Sequence, residues 1–117
     1  MNMENKKLTY LWWGIDLHSS VVTYDTISWL TEDDRLNSES CYELSEDLLQ
    51  IEFKDKNLLI DVGWYNPFQT KQGFFRIELI QNMNWERPLF KRNFRKINTL
   101  KRQISQLISR IEQQQFQ

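Results

Sequence analysis

The chain has 117 residues, 40% hydrophobic and 14% aromatic, enough to bury one core with little room for a second domain. Its one cysteine, Cys41, excludes an internal disulfide and a cysteine-built zinc cluster. The 15 basic and 16 acidic side chains nearly cancel, yet they are segregated: residues 16–61 hold twelve acids against three bases, a balance of −9, and residues 87–110 hold eight bases and no acid.

No apolar run approaches the roughly 20 residues that span a bilayer, and no apolar segment with a cleavage site opens the chain. The expectation is therefore a cytoplasmic protein without a membrane partner, one domain over residues 1–117 whose polar ends, residues 1–7 and 113–117, fray. Residues 8–17 set Leu8, Tyr10 and Trp12 against Leu11, Trp13, Ile15 and Leu17, which reads as a strand with apolar residues on both faces. Thr23 is placed to cap a short helix over residues 23–30, with Asp25 in its first turn and Tyr24, Ile27 and Leu30 at helical spacing. Residues 31–40 are polar and acidic and read as a loop.

From residue 48 the pattern turns to β. Leu49, Ile51 and Phe53 alternate with Gln50 and Glu52, residues 54–57 make a turn, and residues 58–65 form a more apolar strand covered on both sides. Two more strands follow, one with Phe75, Ile77 and Leu79 on a face and one with Phe90 and Phe94 flanking Arg92, and the short connections predict an antiparallel meander. Asn98 is placed to cap a final helix whose Leu100, Ile104, Leu107, Ile108 and Ile111 form one stripe. The fold class expected is α+β: one antiparallel sheet of about five strands, the last helix packed on a face, and a short helix near residues 23–30.

Catalytic constellations are hard to write from these residues. His18 is the only histidine; Asp16 could orient it as a general base, but no nucleophile or second imidazole accompanies it. The acids at 32–34, 39, 43 and 46–47 lack the alternating ligands and central glycine of an EF-hand loop. With glycines only at 14, 63 and 73, no phosphate-binding loop can be drawn. No cofactor, no metal and no enzymatic activity are expected. The opposed charge blocks either neutralise each other within the fold or face different partners.

The segment from Asn57 to Pro67 (NLLIDVGWYNP), followed by Gly73-Phe74-Phe75-Arg76-Ile77 and Trp85-Glu86-Arg87-Pro88-Leu89, resembles small bacterial immunity proteins encoded beside the polymorphic toxins of contact-dependent growth inhibition systems. The resemblance covers residues 45–112 and rests on a strand-turn-strand pattern. It implies a non-catalytic cytoplasmic protein that binds a cognate toxin domain, often a nuclease, and blocks its active site. A nuclease is basic where it binds phosphates, so an acidic surface suits it. On this reading Asp33, Asp34, Glu39, Glu43, Glu46 and Asp47 supply the potential, and Tyr42, Trp64 and Tyr65 are the aromatic anchors.

The alternative uses the other block. Arg92, Arg95, Lys96, Lys101 and Arg102 gather around the expected start of the last helix, where the macrodipole already disfavours cations, so either an acidic neighbour within the fold or a bound anion would explain them, nucleic acid being the functional version. A pI near 5.8 weighs against nucleic acid as the partner.

Overall fold

The structure is a computed structural model that describes residues 15–27, 47–66 and 73–115. Five strands form one antiparallel sheet: β1 (Val21–Asp25), β2 (Leu49–Phe53), β3 (Leu58–Tyr65), β4 (Phe74–Gln81) and β5 (Phe90–Phe94), in the spatial order β1-β2-β3-β4-β5. One helix, α1 (Ile97–Glu112), follows β5. The expected meander and C-terminal helix are therefore present.

The register sorts each strand into two faces. Leu49, Ile51 and Phe53 of β2 stand opposite Val62, Ile60 and Leu58 of β3, and Val62, Ile60 and Trp64 stand opposite Ile77, Leu79 and Phe75 of β4. All of these are buried, and they form the core with Ile97, Leu100, Ile104, Leu107, Ile108 and Ile111 of α1. Each such side chain contributes on the order of 1.5–3 kcal/mol by leaving water, which is why the helix stripe and the strand alternation agree on one layer boundary. On β3 the second face is covered as well: Leu59, Asp61 and Gly63 are buried.

Two expectations need correction. The short helix does not form at its start, because Thr23 to Asp25 belong to β1, which pairs with β2 through Val21 opposite Glu52 and Val22 opposite Ile51. The run Val21-Val22-Thr23 is β-branched and fits a pleated surface better than a helical turn. A bulge between Val22 and Tyr24 shifts the register, and Asp25 accepts a hydrogen bond from the Ile27 amide (3.0 Å), so the acid read as a first-turn residue closes an Asx turn instead. Among the described residues the first sheet strand is β1; residues 8–14, on which most of the strand expected over 8–17 falls, and residues 28–30 lie outside the described residues, and Ile15 and Leu17 are buried.

The second correction concerns α1, whose N-cap is Lys96 and not Asn98. Ile97 is buried, so packing draws the helix start two residues back from where an Asn98 cap would place it. At the other end residues 113–115 are tied down. Gln115 N–H reaches Arg110 O (3.0 Å) and Gln114 N–H reaches Ile111 O (2.9 Å), with Gln114 left-handed at φ 62°, a Schellman closure in which glutamine occupies the glycine position.

Candidate functional site

Because the strand order follows the chain order, segregation of charge along the sequence becomes separation across the sheet. Asp25, Glu52 and Asp61 sit on β1 to β3, whereas Lys91 and Arg92 sit on β5 and Arg95 and Lys96 on its link to α1. The face turned away from α1 carries a row that runs across the strands: Tyr24, Gln50, Asp61, Glu78 and Lys91 stand in register.

Asp61 is the centre of that row. Its side chain is buried, and Gln50 Nε2 donates to its Oδ1 at 3.1 Å. Burial pushes the Asp61 carboxyl up to about 6; the Gln50 hydrogen bond works against that rise, and the nearby charges of Asp47 and Glu78 add to it. Placing carboxylates beside a desolvated one costs stability, so their proximity to Asp61 brings the fold no electrostatic gain. The described residues hold no group of three or more metal-ligating side chains.

One residue further along the same face, aromatic rings and a cation are stacked. Tyr65 and Phe74 lie with centroids 6.0 Å apart and 20° between planes, and the Arg76 guanidinium sits 4.6 Å from the Tyr65 centroid and 5.4 Å from that of Phe74. Arg76 Nε donates to Asn93 Oδ1 on β5 at 3.0 Å, which fixes the fork over the rings. Half-buried tyrosine and arginine held in one orientation are the residue types that anchor protein interfaces. Phe74, Arg76, Asp61 and Glu78 were not singled out by sequence reading; the available signal was their shared parity on facing strands, usable only once the register is known.

Of the expected acidic surface, Asp47 is exposed beside the start of β2, and Thr26 Oγ donates to its carbonyl at 3.2 Å. Asp33, Asp34, Glu39, Tyr42, Glu43 and Glu46 lie outside the described residues. Tyr65 is half-buried and belongs to the stack. Trp64 faces the opposite way, 5% exposed, edge-on to Phe75 with centroids 4.9 Å apart, so it is a core residue and offers a partner no surface. Gly73 is required against it: a Cβ there would fall 2.3 Å from the indole Cζ2.

The basic group gathers as expected around the start of α1. Arg95, Lys96 and Arg102 are exposed, Lys101 is half-buried, and the first helical turn contains no acid. Arg92 lies on the α1 side of β5 with its guanidinium 5.6 Å from the Phe90 centroid.

His18 makes no base-nucleophile pair with its neighbour. Its amide donates to Asp16 Oδ1 (2.9 Å) and its Nε2 lies 3.7 Å from Asp16 Oδ2, while Ser19 gives both its amide (3.1 Å) and its hydroxyl (2.5 Å) to Glu112 Oε1. Partial burial disfavours the Glu112 carboxylate, but the two Ser19 bonds and the charges of Lys56 and His18 outweigh it and hold the carboxyl below its usual range. The contact ties the end of α1 to the segment before β1, 93 residues away in sequence. Among the described residues no helix is long and apolar enough to cross a membrane. No family model, no curated protein and no solved structure matches the chain.

Proposed function

We propose that the chain is a non-catalytic immunity protein that binds a cognate toxin domain, a basic nuclease, and neutralises it through an acidic surface. The observation that carries this reading is the row of Asp61 and Glu78 with Asp47 nearby, set beside the Tyr65–Phe74–Arg76 stack. A Lys or Arg offered by the partner would favour ionised Asp61 and offset the cost of burying it, while the stack supplies area that is already ordered. The −9 balance over residues 16–61 supplies long-range attraction that raises the encounter rate. The resemblance to immunity proteins of contact-dependent growth inhibition points the same way. Co-expression tests it: a toxin domain encoded beside this chain should arrest growth alone and be silenced by the chain. Persistent arrest with both proteins present in soluble form would refute the function.

The rival reading, a nucleic-acid binder working through residues 87–110, draws on Arg95, Lys96 and Arg102 at a helix start without an acid. Gel shifts at low salt separate the two. Retention of RNA or DNA that is lost in Arg92→Ala and Lys101→Ala would favour it, and a steep salt slope would identify the phosphate contacts.

A further inference from the structure

We propose that the connection from β4 to β5, with the head of β5, is a docking surface for an acidic polypeptide segment carrying apolar side chains. Met83, Trp85 and Leu89 are 65%, 44% and 43% exposed, three of the large apolar side chains that the described residues leave in water, all on one connection. The connection is not slack. Asn84 N–H bonds Gln81 O (3.0 Å), Trp85 N–H bonds Met83 O (3.1 Å), Arg87 N–H bonds Asn84 O (3.4 Å) and Leu89 N–H bonds Leu79 O (2.8 Å). Asn82 and Met83 are both left-handed, at φ 53° and 59°. Asparagine tolerates that region and glycine is made for it, whereas methionine is strained there and presents its thioether to water as well. Glycine at position 83 would meet this φ without strain.

Charge selects the partner. Arg87 is exposed in this connection, and Lys91 and Arg92 follow on opposite faces of the head of β5, Lys91 across from Glu78; none of the three is in an ion pair among the described residues, and Glu86 is the only acid between residues 82 and 110. A basic rim around apolar anchors is complementary to carboxylates around apolar side chains. Nucleic acid fits less well, since Met83 and Leu89 offer no ring for base stacking. An anionic bilayer presents uniform negative potential to Glu86 beside Trp85, while a polypeptide places its carboxylates one by one. A second copy meeting the same surface would oppose cation to cation. This surface lies at the Leu58–Gln81 end of the β3–β4 pair, away from the Tyr65–Phe74 end, so it stands independently of the function proposed above.

The test titrates the full chain with a synthetic tryptophan-free peptide in which Glu alternates with Leu and Phe, and with its counterpart carrying Lys for Glu, by calorimetry. The acidic peptide should bind saturably, weaken as salt rises, and lose tenfold or more in affinity with Trp85→Ala and with the double charge reversal Arg87→Glu, Arg92→Glu, both melting as the parent does. Arg95→Glu, beyond the far end of β5, should change affinity little. Equal binding of the Lys peptide, parent-like affinity in Trp85→Ala, or no saturable binding would overturn the proposal. So would concentration-dependent self-association or capture by phosphatidylglycerol vesicles that depends on Trp85.

Discussion

Asp61 is the one charged side chain buried among the described residues, and its position sets a pH dependence with a definite sign. Its folded value, about 6, lies above the ordinary 3.8, so the unfolded chain ionises first. Its favourable contribution is complete below about 3.8 and is lost as pH rises through about 6. Asp61→Asn keeps the shape and the Gln50 contact without the charge. It should gain about 2 kcal/mol at pH 7.5 over the parent and almost nothing at pH 4. Urea unfolding across pH 4–8 reads this difference; a constant difference between the two proteins would show that ionisation of Asp61 is not what costs stability. Met83 offers a second single-residue test: Met83→Gly relieves the left-handed turn and should raise stability by about 1 kcal/mol in thermal unfolding.

Among the elements, α1 is held by its stripe, closed at its C-terminal end by the Schellman bonds and weakly finished at its N-terminal end. Its N-cap Lys96 has extended backbone (φ −104°, ψ 134°) suited to a capping serine but makes no side-chain cap bond. Lys96→Ser should therefore add about 1 kcal/mol, partly by the new bond and partly by removing a cation from the positive end of the dipole, with a Tm rise of about 4 °C. A lower Tm would mean that the lysine supports the start of the helix by another contact. The stripe of Leu100 to Ile111 was legible because a period near 3.6 over 16 residues has no competing explanation. So were β2 to β5, whose alternation and short turns leave one register. Of the helix expected over residues 23–30, the start at Thr23 to Asp25 is strand instead: Tyr24 and Ile27 fit a helix by spacing alone, and the β-branched run with the Asx turn at Asp25 decides otherwise. The site was less legible than the fold. Asp61 with Glu78 and Tyr65 with Arg76 meet only through the β3–β4 register, and the Ser19 to Glu112 tie spans the chain.

For the whole molecule, the meander converts a segregated sequence into two electrically different edges, acidic strands β1 to β3 and a basic β5 leading into α1. Such a charge pattern governs approach more than residence. Rim carboxylates turned to lysine slow association and flatten its salt dependence, whereas loss of an ordered aromatic speeds dissociation. Tyr65→Ala should thus cost on the order of 2 kcal/mol of affinity, nearly all of it in the dissociation rate. The most direct measurement is association of the chain with an immobilised, catalytically inactive toxin domain encoded beside it, at two salt concentrations. Asp47→Lys with Glu78→Lys should slow association and flatten its salt dependence, with Arg92→Glu near the parent rate. Unchanged association in the first variant and its loss in the second would contradict an acidic interface and move the binding surface to the basic edge.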